Sequence, residues 1–175
     1  MKKYILVLLS MILLTISCGQ NSAAKRAFEG HMKIIQSGDM EKLKKWDPVS
    51  EIDKIKFLLP GLKKITYKIN KVEAKDKTAV VNVTMKYPNF GAYEDEFHKF
   101  LTEKYKSSNI IDRDQAMKIT LDEAEKFFSE KIKNNNMKYL EKTIDVTLDK
   151  KGSAWDIEAR KNLEFSSVLA LGLDK

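Results

Sequence analysis

The sequence predicts an α+β fold, in which N-terminal helices pack on a curved antiparallel sheet of about four strands. Three observations indicate this class. Apolar residues recur at helical spacing as far as Gly61 and then alternate with polar residues, which marks a change from a 3.6-residue to a two-residue period. The same alternation returns near the C-terminal end, and the segment between has helical spacing. We therefore expect two hairpins separated by a helical insertion.

The first predicted helix covers Ala24–Ser37, where apolar side chains and His31 share one face. Gly38 ends it, because glycine accepts the left-handed conformation that follows a helix. Asp39 is a suitable N-cap for a second helix, which continues to Trp46 and is broken by Asp47-Pro48. The apolar residues at four- and three-residue spacing are Phe28, Met32 and Ile35.

A third short helix is expected over Ser50–Leu59, stopped by Pro60-Gly61. The first hairpin follows. Its strands alternate around Tyr67 and over Thr78–Tyr87, and a polar turn at 74–77 joins them. The apolar members of the two strands are Ile65, Tyr67, Ile69, Val81, Val83, Met85 and Tyr87.

The insertion contains two predicted helices. The first follows Gly91 and runs to about Lys106, and the second ends near Lys133. The second helix has two candidate starts, Asp112 and Thr120, since each is followed three residues later by a glutamine or glutamate that completes a capping box. Both starts remain open. The second hairpin alternates over 142–149 and continues at Trp155 and Ile157, and a short helix over 162–171 closes the chain.

The N-terminal segment has the pattern of a secretory signal. Lys2 and Lys3 precede an apolar run from Tyr4 to Ile16, which is followed by small residues and by Cys18, the single cysteine of the chain. The run of about 14 residues is shorter than the roughly 20 that a membrane-spanning helix needs. A lone cysteine has no disulfide partner within the chain.

This pattern resembles the lipobox of bacterial lipoproteins. The resemblance implies that residues 1–17 are a signal peptide and that Cys18 is acylated and becomes the new N-terminus. Residues 18–24 would then be a lipidated tether, and residues 25–175 a single α+β domain. The alternative is an ordinary cleaved signal peptide with an incidental cysteine. We expect a lipid-anchored, extracytoplasmic protein of the cell membrane or, where the cell has one, the outer membrane.

The positive charge argues weakly for nucleic acid. The net charge is +7, but only Arg26, Arg113 and Arg160 among the 32 basic side chains are arginine. Arginine is the side chain favoured for bidentate contacts with phosphates and bases. We therefore expect no nucleic-acid partner. The excess of lysine lies in residues 25–77, beside the predicted anchor, where it would favour an anionic bilayer.

The order of elements resembles the cone-shaped fold of nuclear transport factor 2-like domains, as found in many small bacterial lipoproteins. The residues that carry the resemblance are the Gly38-Asp39 turn, the first hairpin and above all the second hairpin from Asp145 to Ile157. In that family a curved sheet encloses a pocket. The resemblance implies that any pocket is lined by Trp46, Tyr67, Tyr87, Trp155 and His31.

The sequence contains no Gly-rich phosphate loop, no Gly-x-Ser-x-Gly turn and no His-Glu-x-x-His pattern. We expect no cofactor, no metal site and no catalytic residue. The favoured function is a non-enzymatic module that binds a small apolar ligand or an envelope protein. The alternatives are an isomerase- or dehydratase-like enzyme, in which His31 and the inward tyrosines act in the pocket, and a structural homodimer.

Overall fold

Helices and strands follow one another along the chain in the order that the sequence predicts. The computed structural model describes residues 2–46, 52–106 and 112–173, with side chains from Gly19 onward except at 44–46 and 52–54. The α-helices are α1 (Lys2–Ser37), α2 (Met40–Trp46), α3 (Leu59–Leu62), α4 (Glu94–Lys104), α5 (Arg113–Lys133) and α6 (Leu163–Leu169). Short 3₁₀ helices cover Ile52–Leu58, Phe90–Tyr93 and Ala159–Lys161.

The sheet, within the described residues, has four antiparallel strands in the order β1-β2-β3-β4. They are β1 (Thr66–Lys75), β2 (Thr78–Pro88), β3 (Tyr139–Lys151) and β4 (Ala154–Ile157). Every second residue of β2 from Ala79 to Tyr87 is buried, as the two-residue period predicts. The α+β class, the two hairpins and the helical segment between them are confirmed.

The chain divides into two compact units. Unit 1 contains residues 1–33, 67–84 and 143–165, and unit 2 contains residues 34–66, 85–142 and 166–175. The division into a signal peptide, a tether and one domain stays a prediction.

Unit 1 buries one face of α1. Ala24, Phe28 and Met32 are fully buried there, and burial of a phenylalanine or methionine side chain stabilises a fold by about 1.5–3 kcal/mol. The ring of Phe28 meets Tyr67 edge-on, with centroids 5.5 Å apart. It also lies 6.3 Å from the ring of Phe165. The predicted apolar face of the first helix is therefore the face that packs.

Unit 2 is built around phenylalanines and a close backbone approach. The buried rings of Phe90 and Phe128 stack with centroids 3.9 Å apart and an interplanar angle of 3°. Gly61 lies so close to Leu171 and Phe90 that a Cβ at position 61 would overlap Leu171 Cδ1 and would meet Phe90 Cζ at 2.7 Å. Glycine is therefore required at position 61 for packing, in addition to any effect on the turn.

The first helix differs from the prediction at its start. α1 begins at Lys2 and not at Ala24, so that residues 19–24, expected to form a tether, are helical. Ala24 is fully buried, and Asn21 Oδ1 accepts a hydrogen bond from the backbone N–H of Ala74 at 2.7 Å. Small residues are compatible with a helix when the neighbouring structure covers them, and tertiary packing overrides their weak local preference.

Two other boundaries are decided by capping and by proline. Asp112 is the N-cap of α5, because its side chain accepts from the N–H of Asp114, while Thr120 lies inside the helix and donates to the Ala116 carbonyl at 2.8 Å. The third predicted helix is a 3₁₀ helix over Ile52–Leu58, and Pro60, which was expected to stop it, lies in the first turn of α3, where the missing N–H is not needed. The predicted break at Asp47-Pro48 lies outside the described residues.

Candidate functional site

The residues expected to line a pocket are divided between the two units. His31, Tyr67 and Trp155 belong to unit 1, and Tyr87 belongs to unit 2, where it is 5% exposed on β2. Trp46 ends α2, but its side chain lies outside the described residues, as does that of Cys18 in α1. The proposal that these five aromatic and histidine side chains share one pocket stays a prediction.

In unit 1 the structure brings His31 to the second hairpin. Its Nε2 lies 3.6 Å from Oδ1 of Asp156, and the imidazole is 13% exposed. Burial lowers the pKa of His31, and Asp156 and the backbone of Trp155 oppose that shift. The other carboxylate oxygen of Asp156 binds Lys151 at 2.9 Å. Asp156 thus contacts both His31 and Lys151, and these contacts join α1 and β3 to β4.

Tyr67 and Trp155 take part in packing within the same unit. Tyr67 is half-buried against Phe28, and its burial, together with the charge of Glu29, raises the pKa of its phenol. Trp155 is 6% exposed, and the ammonium of Lys150 lies 5.8 Å from the centre of its ring. These contacts give both side chains a structural role in the core of unit 1.

The candidate binding site is a groove in unit 2 along one side of α5. Three neighbouring cavities of about 350, 490 and 600 Å³ follow this helix. The first two share Lys56, Asp122 and Glu125, and the third shares Glu125 and Ser129 with the second. The opposite wall comes from the Ile52–Leu58 3₁₀ helix and from α3. We call this feature the α5 groove.

The α5 groove has an apolar end and charged margins. Met117 and Leu121 line the first cavity, and Met117 is 39% exposed. Lys56 reaches across the groove to Glu125, with 3.2 Å between Nζ and Oε2. The other charged residues along the three cavities are Asp114, Lys118, Asp122, Lys126, Glu130, Lys63, Lys64 and Lys133.

A buried carboxylate fixes α5 in place beside α4. The side chain of Glu123 is 6% exposed and binds Lys104 at 2.5 Å and Lys126 at 3.1 Å. The hydrogen bond from Lys104 is the main cause that holds the pKa of Glu123 below its ordinary value, and it raises the pKa of Lys104 in return. Because both Glu123 oxygens have lysine partners, the buried charge is compensated.

The α5 groove was not predicted from the sequence. In the sequence, Met117, Leu121, Ala124 and Phe128 recur at helical spacing and form one apolar stripe of α5. In the structure the covered positions are Ala124 and Phe128, whereas Met117 is exposed. The sequence does contain a signal for the groove, because the apolar stripe of α5 begins two helical turns before its buried residues. Only the tertiary structure shows where the covering elements stop.

The comparisons with known proteins give one structural likeness. No protein-family model matches the chain, and no curated protein matches it. The structure is similar to ycdA of Bacillus subtilis, described as a candidate lipoprotein, with a TM-score of 0.48 and 16% sequence identity. The match covers 71% of this chain and 39% of ycdA. Within the described residues, no helix has the length and apolar character of a membrane span.

Proposed function

We propose that this protein is a lipoprotein anchored through acylated Cys18 on the extracytoplasmic side of a cell membrane. The observation that carries the proposal is the segment from Lys2 to Gly19, with its positive start, short apolar run and single cysteine. Two or more acyl chains hold a protein at a bilayer almost permanently, whereas one chain binds only marginally. The proposal includes removal of residues 1–17 and, in a cell with two membranes, an outer-membrane location.

The domain, in this proposal, binds a protein partner of the envelope along the α5 groove and does not convert it. Small-molecule sites are usually concave and bury most of their ligand. The α5 groove instead follows the helix from Asp114 to Lys133, which is about 28 Å of helical rise. Its exposed apolar end and its charged margins of both signs suit an amphipathic segment laid into the groove.

The proposed fold family and the catalytic alternative rest on separate observations. The likeness to nuclear transport factor 2-like domains rests on the order of elements and on the second hairpin. The catalytic alternative rests on the pairing of His31 with Asp156, at 3.6 Å. That carboxylate is also bound by Lys151, an arrangement typical of a structural charge network. Binding is therefore the function that the geometry supports better.

Photo-crosslinking in intact cells tests this function. Benzoylphenylalanine replaces Met117 in the α5 groove of the full chain, and in a matched control it replaces Leu163, which is 75% exposed and lies in unit 1. We expect a discrete covalent adduct from position 117 and no such adduct from position 163. The adduct should disappear in a Cys18→Ser background, because the protein is then no longer held at the membrane.

The other outcomes have clear meanings. An adduct of twice the chain mass at position 117 supports the homodimer in place of a foreign partner. Equal labelling from both positions contradicts the groove as a binding site. A small molecule that remains bound during native mass spectrometry of the detergent-extracted protein replaces the protein partner with a small ligand.

A further inference from the structure

The first turn after Cys18 is fixed to the sheet of unit 1. Asn21 Oδ1 accepts the backbone N–H of Ala74 at 2.7 Å, and Ala24 is fully buried. Asn21 lies three positions after Cys18 in α1, a helical rise of about 4.5 Å. An acyl anchor at Cys18 would therefore begin within one helical turn of the end of β1.

The contacts of α1 also give the direction of β1. Tyr67, near the start of β1, contacts Phe28, whereas Ala74, near its end, contacts Asn21. Strand β1 therefore runs toward the Cys18 end of α1. The β1–β2 turn, with Asp76 at φ 55°, must lie at this end of unit 1.

The turn of the second hairpin lies at the same end of unit 1 as the β1–β2 turn. The backbone N–H of Lys150 donates to the carbonyl of Lys77 at 2.8 Å. A cleft of about 500 Å³ lies between the two turns and is lined by Asp76, Lys77, Lys150 and Gly152. Both hairpin turns thus lie together at the end of unit 1 where the anchor would begin.

Lysine dominates this end of the unit. We define the tip surface as Lys75, Asp76, Lys77, Lys150 and Lys151, which carries four positive charges and one negative charge. The side chains of Lys75, Lys77 and Lys151 are exposed, and that of Lys150 is partly exposed beside the ring of Trp155.

Two further carboxylates in the second hairpin have partners of their own. Asp149 binds Lys161 at 2.6 Å. Asp156 binds Lys151 at 2.9 Å and faces His31. Asp156 therefore offsets the charge of Lys151, whereas Lys75, Lys77 and Lys150 are left to act on an anionic surface.

We propose that the tip surface docks on the bilayer that holds Cys18 and binds the anionic headgroups of its phospholipids. This inference rests on the proposed acylation of Cys18. The short rigid connection brings the lysines to the headgroup layer, and their charge is complementary to phosphate. Each lysine near an anionic surface strengthens attachment by about fivefold, and the effect falls within a Debye length of the surface.

Fluorescence of the full lipidated protein in vesicles tests the docking. A cysteine introduced as Ser153→Cys, in the β3–β4 turn, carries an environment-sensitive dye, and Lys33→Cys carries the same dye on α1, about 22 Å of helical rise from Cys18. The vesicles contain either phosphatidylcholine alone or a high fraction of phosphatidylglycerol, with a quencher on the headgroup. We expect quenching at position 153 in anionic vesicles only, reversed by salt, and none at position 33.

A charge variant and a matched control complete the test. Replacing Lys75, Lys77 and Lys150 together by glutamine should lower the ratio of docked to undocked protein on the order of a hundredfold. Replacing the exposed Lys33, Lys68 and Lys99 by glutamine changes the net charge equally and should leave docking unchanged. A thermal melt of each variant verifies folding. A salt titration of the labelled Ser153→Cys protein, with all its lysines in place, measures independently how far docking depends on charge.

The outcomes separate the docking from the anchor. Equal quenching in neutral and anionic vesicles, or equal loss in the two triple variants, overturns the docking. The wild-type chain with acylated Cys18 has no free thiol and should take up no dye. Labelling of the wild type, with failure to associate with either vesicle, refutes the anchor itself and not the charge of the tip surface.

Discussion

Replacement of Asn162 by alanine should destabilise unit 1, because this buried side chain makes three hydrogen bonds. Asn162 is 4% exposed. Its Oδ1 accepts the N–H of Thr147 at 2.7 Å, and its Nδ2 donates to the carbonyls of Thr147 and Glu158, both at 2.9 Å. One side chain thus ties the segment after β4 to the middle of β3.

The magnitude follows from the number and burial of these bonds. Each contributes about 1 kcal/mol net to the free energy of unfolding. We expect the free energy of unfolding to fall by about 3 kcal/mol in Asn162→Ala. For a chain of this length, that corresponds to a fall in Tm of about 6–12 °C.

Urea and thermal denaturation, followed by circular dichroism, measure the loss. The matched control is Asn70→Ala, because Asn70 is exposed and donates at 3.0 Å to Asn82 and to Thr84 on the sheet surface. That change should cost under about 1 kcal/mol, since water replaces the lost partners. Equal losses for Asn162→Ala and Asn70→Ala would refute the argument that burial sets the cost.

Three further predictions concern single side chains. Glu123→Gln should have a lower free energy of unfolding than the wild type at neutral pH. The difference in free energy should shrink as the pH falls below 4.5, the ordinary pKa of the carboxyl group. The lysine contacts keep the pKa of Glu123 lower in the folded state, so the stabilisation they give is lost when the carboxylate is protonated. Parallel melts across pH measure this, and a constant difference contradicts it. The wild type should lose stability as the pH falls below 6.5, the ordinary pKa of histidine, because burial lowers the pKa of His31 in the folded state and so opposes its protonation. His31→Gln should not show this loss. The control is His98→Gln, which changes an exposed histidine, and identical profiles of stability against pH for the two variants would disprove the prediction. Phe128→Ala should lower the free energy of unfolding by about 3–5 kcal/mol, and Phe127→Ala, at a half-buried position, by clearly less. A lower urea midpoint for Phe127→Ala than for Phe128→Ala would contradict this prediction.

The strands could be predicted because their signal is local. Alternation in β2 and β3 fixes which residues are buried, and the polar turns at 76 and 152 join the hairpins. The order of elements follows from these signals. The start of α1 could not be predicted, because the helical state of residues 19–24 depends on Ala74, about 50 positions away in sequence.

The candidate site depends on long-range packing, which the sequence conceals. Met117 and Phe128 belong to the same apolar stripe, but one is exposed and the other is buried. The tip surface is likewise assembled from two turns distant in sequence, joined by the bond from Lys150 to Lys77. The cysteine motif differs from both, because a short contiguous segment carries its whole signal.

The intact mass of the protein extracted from its native membrane tests the central proposal most directly. The account predicts a chain that begins at Cys18, lacks residues 1–17, and carries a diacylglyceryl group together with any further acyl chain. Release only by detergent should accompany that mass. A mass that retains residues 1–17, or a shortened chain with a free thiol in the soluble fraction, would contradict the anchor and every inference that depends on it.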